Sequence, residues 1–529
     1  MSLRELAICY LLMATCFLSS EAHGETAAAI KGYIRRVPPE TAVERETRHQ
    51  SIAQRRSGSL IIVHRGASAF APENTLEAYA AAMDYGADGC EVDLRRTLDG
   101  VLVLFHDDML DHLTDGFGTV SQLTYYELLS LTPRFRYGTA GAATRPPTFA
   151  ALLTLARQRA MLLHLDIKEP KWDNEIANLL DEADAWDHIV AVNAVNAPQL
   201  LQNPKLKLLK YKVPGLYAER RDVDARAVRD SLVHPGEMIM VDDPRVAARE
   251  LRRPPYRPSA LSQNLHEKWQ PSVSVYSEKL EAFVPNFYLR TKLNRINPNS
   301  EQELTRLVRS GDRAERVQTE GSEEYRRHRV EKIVERAWAA QRLGQIGRKS
   351  RELVALLQFE VEHRSLHKDW IYHGLDGAMA VRALGLLKAA ESVPFLIEQF
   401  KRVDADLAKV ANPEFAQNPV SWTDWRLKMY IMPALGELSC KASKEFLLEY
   451  LAMSEAAARE LSPPQFEEAT KALFRQKLTE QELKALLRSA QSSVRGTAIL
   501  ECVDHPSSDR NAALREVAPW ALELPRAKR

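Results

Sequence analysis

Cysteine is scarce in this chain. Five of its 529 residues are Cys, and Cys90, Cys440 and Cys502 lie far apart with no CxxC or Cys/His spacing. Neither a disulfide framework nor a zinc site is indicated, and Cys90, inside an expected strand, reads as a small buried thiol. Charge of one sign is lacking too. Lys plus Arg number 72 and Asp plus Glu 71, so no global field selects nucleic acid or an acidic membrane surface as a partner. Long apolar runs are also missing. The stretch from Leu6 to Leu18 behind Arg4 holds about 13 apolar residues, too few to cross a hydrocarbon core. It is followed by Ser20-Glu21-Ala22, small residues at a signal-peptidase spacing. We expect residues 1–22 to be a signal peptide cleaved after Ala22, and the protein to be exported to the periplasm or beyond. Met13-Ala14-Thr15 before Cys16 is a poor lipidation site, so membrane attachment is not supported.

The chain is too long for one ordinary domain. From Ser59 to about Pro255, β-rich runs alternate with helical segments, the pattern of parallel strands joined by crossover helices. LIIVHRG (60–66), GCEVDLRR (89–96), VLVLFHD (101–107), MLLHLDIK (161–168), HIVAVNAV (188–195), LKLLKYKV (206–213) and EMIMVDD (237–243) read as strands. NTLEAYAAAMDYG and PTFAALLTLARQR carry helical spacing, with Gly86 at a C-cap. This is an α/β barrel or doubly wound sheet over 58–255, preceded by a linker over 23–57. Residues 256–325, with scattered Pro, Asn and Ser and a charged stretch, read as a linker with some helix. The remainder, 326–529, is helical and repeats itself. Leu343-Gly344, Leu384-Gly385 and Leu435-Gly436 mark a common register in helix, turn, helix segments. Spacings of about 40 to 50 residues suit helix pairs stacked as a HEAT-like solenoid, the alternative being one three-helix bundle.

Chemistry gathers in the first part. Glu91 and Asp93 stand two apart on a strand and so point to one face. Side by side they repel, unless a hard divalent cation such as Mg²⁺ or Ca²⁺ bridges them. MLLHLDIK is built alike, with His164, Asp166 and Lys168 on one face and Leu163, Leu165 and Ile167 on the other. Asp166 is placed to complete a metal site and Lys168 to neutralise a phosphate oxygen, whereas His164 reads as a hydrogen-bonded core histidine. His64 and His106 each end a strand, where a closed α/β barrel has its reaction centre. Two imidazoles beside a metal match the need of phosphodiester cleavage for a proton acceptor and a proton donor.

The stretch from His64 to Leu131 resembles the N-terminal half of the glycerophosphodiester phosphodiesterase family, whose fold is a TIM barrel. The likeness lies in His-Arg-Gly, Pro-Glu-Asn-Thr at 72–75, Gly-Ala-Asp followed by Glu-x-Asp, and Thr-x-Asp-Gly leading into His-Asp. It implies that His64 and His106 are the general acid/base pair, that Arg65 and Lys168 contact the substrate phosphate, and that Glu91, Asp93 and Asp166 bind one divalent cation. Asp166 stands where many relatives have Glu. VDDP at 241–244 resembles the family's closing Thr-Asp-x-Pro, but only seven strands are legible, so one is missing or replaced, with SVSVYSEKL (272–280) an out-of-order candidate.

The implied reaction is hydrolysis of a glycerophosphodiester, a small-molecule substrate, to sn-glycerol 3-phosphate and an alcohol. A phospholipase D-like or lysophospholipid-cleaving enzyme on the same barrel is one alternative. The other is a catalytically silent scaffold whose helical repeats bind a protein partner.

Overall fold

In the computed structural model the described residues are 37–526, apart from 130, 132, 136–137, 140–143, 194–195, 214–215, 232–235, 255–295, 310–322, 349–350, 364–373, 411–418 and 454–464. The expected signal peptide therefore lies outside them. All seven expected strands form: β1 (Leu60–Val63), β2 (Gly89–Arg96) and β3 (Leu102–Leu104), then, after a small hairpin of β4 (Arg134–Phe135) and β5 (Gly138–Thr139), β6 (Leu162–Ile167), β7 (Ile189–Val192), β8 (Lys210–Val213) and β9 (Glu237–Val241). Parallel ladders join β7, β6, β2, β1, β9 and β8 in that order. The two edges then meet, because the Leu209 amide just before β8 donates to the Val190 carbonyl of β7 at 2.8 Å. Among the described residues six parallel strands thus ring a TIM-type barrel in chain order, where the usual number is eight.

One expected stave is not a stave. β3 runs antiparallel to β2, pairing Leu94 with Leu104 and Arg96 with Leu102. The intervening turn, closed by Gly100 at φ 82°, is far shorter than the dozen or so residues a parallel crossover needs. SVSVYSEKL lies outside the described residues.

Strand alternation sorts side chains between two cores. Leu60, Ile62, Leu162, Val190 and Met238 fill the lower barrel. Val63, Cys90, Val92, Leu94, Leu163, Leu165 and Ile167 face outward into the main core, under α2 (Leu76–Asp84), α4 (Phe149–Arg159), α5 (Asp173–Glu182) and α7 (Pro244–Glu250), with α3 (Tyr125–Leu129) and α6 (Ala225–Ser231) completing the set. Gly89 is required where β2 meets β6, since a Cβ there would lie 2.1 Å from the Leu162 carbonyl oxygen. The floor is closed by α1 (Ala42–Arg56), begun by a Thr41/Glu44 capping box. Its Ile52 packs among the lower barrel residues, so 42–56, expected to be linker, is part of the fold. AVERETRHQSIAQRR looks solvent-bound because it buries Ile52 together with an arginine, Arg48, which Glu40 pairs at 2.9 Å.

After α8 (Glu301–Arg309) the described residues form five helix pairs: α9 (Glu323–Gln345) with α10 (Arg351–His363), α11 (Leu375–Leu386) with α12 (Val393–Leu407), α13 (Pro419–Leu438) with α14 (Lys441–Leu451), α15 (Phe466–Phe474) with α16 (Glu480–Leu487), and α17 (Ser492–Asp504) with α18 (Ser508–Val517). The first helices of the pairs stack in sequence, α9 on α11, α13, α15 and α17. This is a stack of pairs rather than one three-helix bundle. Glycine sets its spacing: a Cβ on Gly344 would meet Ala383 Cα at 2.9 Å, on Gly385 Ala434 Cα at 3.3 Å, and on Gly436 Ala472 Cα at 2.7 Å. Within the expected 256–325 linker, α8 buries Leu304, Leu307 and Val308 and packs on α9.

The stack docks on the barrel through these same first helices. Tyr430 of α13 donates to the Asp111 carbonyl at 2.8 Å, and Asp504 of α17 pairs with the buried Arg245 at 2.5 Å. No described helix is long and apolar enough to cross a membrane.

Candidate active site

Above the apolar floor the barrel interior turns acidic. Glu91 and Asp93 lie on β2 and Asp166 on β6, with Asp93 in register with Asp166 and Glu91 in register with His164. Glu91, Asp93 and Asp166 each offer a carboxylate oxygen within 4.8 Å of the others. Glu91 and Asp93 are only 3% and 0% exposed. Two buried carboxylates this close cannot both ionise freely. Burial, and after it the charge of Asp93, pushes the Glu91 carboxyl well up. Burial also works against Asp93, but Arg65, His106 and Lys168 outweigh it and hold that carboxyl below the usual range.

The cations are fixed by short contacts. Lys168 Nζ lies 2.8 Å from Asp93 Oδ1 and donates to Asp166 Oδ2 at 2.7 Å. Arg65 Nε is 3.5 Å from Asp93, its Nη1 donates to Glu73 at 3.1 Å, and its amide donates to Glu91 Oε2 at 3.0 Å. That amide is aimed by a left-handed backbone at Arg65, φ 57°, a conformation uncommon for a side-chain-bearing residue. It is followed by Gly66, where a Cβ would strike Ala78 at 2.9 Å. Asn74 donates to Asp93 Oδ2 at 2.7 Å and accepts from the Tyr79 hydroxyl at 2.7 Å. Asn193 donates to Asp166 Oδ1 at 3.0 Å.

Both imidazoles are held from behind. His64 Nδ1 lies 2.9 Å from Asp242 Oδ1, and its ring stacks on Tyr217 at 4.3 Å. His106 Nδ1 lies 2.6 Å from Asp107 Oδ1, whose other oxygen is 2.9 Å from His112 Nδ1. Burial would raise the Asp107 carboxyl, but hydrogen bonds from His106 and His112 hold it well below its ordinary range. With Nδ1 occupied, Nε2 is the nitrogen each ring offers for proton transfer. His106 does not arrive from a βα loop as expected: antiparallel β3 brings the chain back so that Phe105 bonds the Asp93 carbonyl at 3.0 Å. His164, read as a core histidine, is half-buried inside the barrel beside Glu91 in register, and burial pulls its pKa down to about 4. It is neutral near pH 7.

Sequence reasoning did not single out Asp242, Asp107, His112, Glu73, Asn74 or Tyr217 as functional. The motif segments HDD, VDDP and PENT contained four of these, which is the signal they left. Three oxygen donors, two of them buried and one destabilised by its neighbour, suit a hard divalent cation, so the residues fit one.

Residues 64–207 match the Glycerophosphoryl diester phosphodiesterase family. The chain is 39% identical over 110 residues to a glycerophosphodiester phosphodiesterase of Caldanaerobacter subterraneus, covering 21% of this chain and 45% of that protein. It is 38% identical over 109 residues to glycerophosphodiester phosphodiesterase 1 of Mus musculus, covering 20% and 33% respectively. A crystal structure of a glycerophosphodiester phosphodiesterase from Agrobacterium tumefaciens aligns with a TM-score of 0.32 at 22% identity, over 36% of this chain and 99% of that one. The chain spans less than half the length of these curated relatives.

Proposed function

We propose that the glycerophosphoryl diester phosphodiesterase family domain at residues 64–207 makes this chain a hydrolase of glycerophosphodiesters, releasing sn-glycerol 3-phosphate and an alcohol. The observation that carries the reading is the acidic trio Glu91, Asp93 and Asp166, the first two buried, crossed by two cations and attended by two imidazoles with their Nδ1 atoms tied. Glu91, Asp93 and Asp166 would hold a divalent cation, Mg²⁺ or Ca²⁺, which when bound would supply Lewis-acid polarisation of the phosphate. Arg65 and Lys168 bind the phosphate oxygens and offset the negative charge that develops on them. Nε2 of one histidine takes a proton from the nucleophile as the new P–O bond forms; the nucleophile is water, or a hydroxyl of the substrate glycerol whose cyclic phosphate water then opens. Nε2 of the other gives a proton to the leaving alcohol oxygen as the old P–O bond breaks. Asp242 and Asp107 keep each ring in the tautomer that this exchange needs. In this proposal residues 1–22 direct export, and the helix pairs are HEAT-like repeats that brace the barrel.

The test is choline release from glycerophosphocholine by purified protein with Mg²⁺ or Ca²⁺, and its loss in His64→Ala. No release, or equal release by the variant, refutes the proposal. Faster release from lysophosphatidylcholine than from glycerophosphocholine turns the reading toward a phospholipase D-like enzyme.

A further inference from the structure

We infer that Tyr430 and Arg426 on α13 of the helical stack are positioning residues for His106, acting through Asp111 and the turn from Asp107 to Thr114. The inference rests on the proposed function only in taking His106 as a proton-transfer group. The turn is braced to move as one piece. Thr114 returns both its amide and its hydroxyl to the Leu110 carbonyl at 2.8 Å, Leu110 donates to the Gly118 carbonyl at 3.0 Å, and Val120 donates to that of Asp108 at 3.0 Å. At one end of this piece Asp107 grips His106 and His112.

Four residues on, Asp111 is buried, and a buried carboxylate must find donors. Those it meets come from α13: the Tyr430 hydroxyl lies 3.0 Å from Oδ2 and 2.8 Å from the Asp111 carbonyl, and Arg426 Nη2 lies 3.5 Å from Oδ1. A second strut runs beside them. Arg134, whose amide bonds the Leu113 carbonyl at 2.7 Å, extends its guanidinium to the Tyr430 hydroxyl and to Gln341 of α9, each at 3.4 Å. The piece of chain that aims His106 is therefore pinned to the helical stack, whereas His64 is aimed by Asp242 and Tyr217, both of the barrel. Loosening the pin should disturb one imidazole and spare the other.

The full-length protein and its Tyr430→Phe variant are treated with diethyl pyrocarbonate at one pH, and carbethoxylation of each histidine is followed by peptide mass spectrometry. His106 should be modified about fivefold faster in the variant while His64 keeps its rate, as local opening of one turn predicts. With glycerophosphocholine, kcat should fall about tenfold with KM within about twofold, the pattern of a displaced proton-transfer group. An unchanged rate at His106, or equal acceleration at His64 and His106, overturns the inference. Should Tyr430→Phe not fold, Arg426→Gln carries the same expectation and the same refutation. Modification rates do not depend on turnover, so this inference and the proposed activity fail separately.

Discussion

At the mouth of the barrel, three carboxylates, Glu91, Asp93 and Asp166, share the cations of Lys168 and Arg65. In the helical stack, buried acids meet bases of their own. Arg336 of α9 lies 2.6 Å from Asp376 of α11, Lys428 of α13 pairs with Asp404 of α12, and Arg402 of α12 lies 3.2 Å from Asp424 of α13. Both regions remove charge from water, which is unfavourable in either place. In the stack the attraction within each pair offsets that loss, and the pairs join neighbouring helices. At the mouth the excess of negative charge is left over, and burial leaves Glu91 pushed up. Imbalance of this kind suits a site that receives something positive; balance suits architecture.

Chelation strikes at the imbalance and should have the largest effect. Treatment with EDTA should lower choline release by about two orders of magnitude or more, since several kcal/mol of barrier lowering reside in such a site. Adding back Mg²⁺ or Ca²⁺ should restore it, and the ion that does so identifies the natural one. A thermal melt should fall with chelation in the same samples, because relief of repulsion between Glu91 and Asp93 is lost. Activity and melting point unmoved by EDTA would mean that the excess charge at the mouth serves something other than a cation.

The stack should respond to the opposite treatment. Lys428 is pulled below the ordinary lysine range by burial, with Asp404 partly compensating. Lys428→Met leaves Asp404 buried without that partner and should cost about 3–5 kcal/mol in denaturant unfolding. The double variant Lys428→Met/Asp404→Leu should regain most of that, since a well-packed apolar pair often replaces a buried ion pair at no loss. A double variant as unstable as the single one would show that this pair, too, is more than architecture.

What could be read beforehand follows the range of the interaction. Glu91 and Asp93 are two residues apart, and strand alternation alone puts them on one face; Asp166 and Lys168 follow by the same rule. The partners that hold the imidazoles obey no such rule. Asp242 is 178 residues from His64 and reaches it only because β9 lies parallel beside β1. Tyr430 is 319 residues from the Asp111 it holds. The direction of β3 was legible in principle from the shortness of the turn at Gly100, yet its apolar alternation resembles that of the true staves. α1 was obscured by charge, because its hold on the barrel comes from Ile52 and from an arginine that buries itself by pairing. The Leu-Gly register in the repeats was visible as a pattern, but not its cause, the approach of each glycine to an alanine on the next first helix.

That cause makes the smallest and most graded expectation. Replacing a helical glycine by alanine gains about 1 kcal/mol in helix propensity, while forcing a methyl group into a closed contact loses about 1–3 kcal/mol. At Gly436 the new Cβ would lie 2.7 Å from Ala472 Cα and 2.9 Å from its carbonyl oxygen, backbone atoms that cannot step aside, so Gly436→Ala should be net destabilising. Gly344→Ala, at 2.9 Å from Ala383 Cα, should be milder. Gly385→Ala, at 3.3 Å from Ala434 Cα, should be neutral or slightly stabilising, because the propensity gain then prevails. Denaturant unfolding of the three variants reads the order directly. Equal losses at all three would mean that the stack shifts as a whole to admit a methyl group; the reverse order would mean that something other than the spacing of the first helices requires glycine in this register.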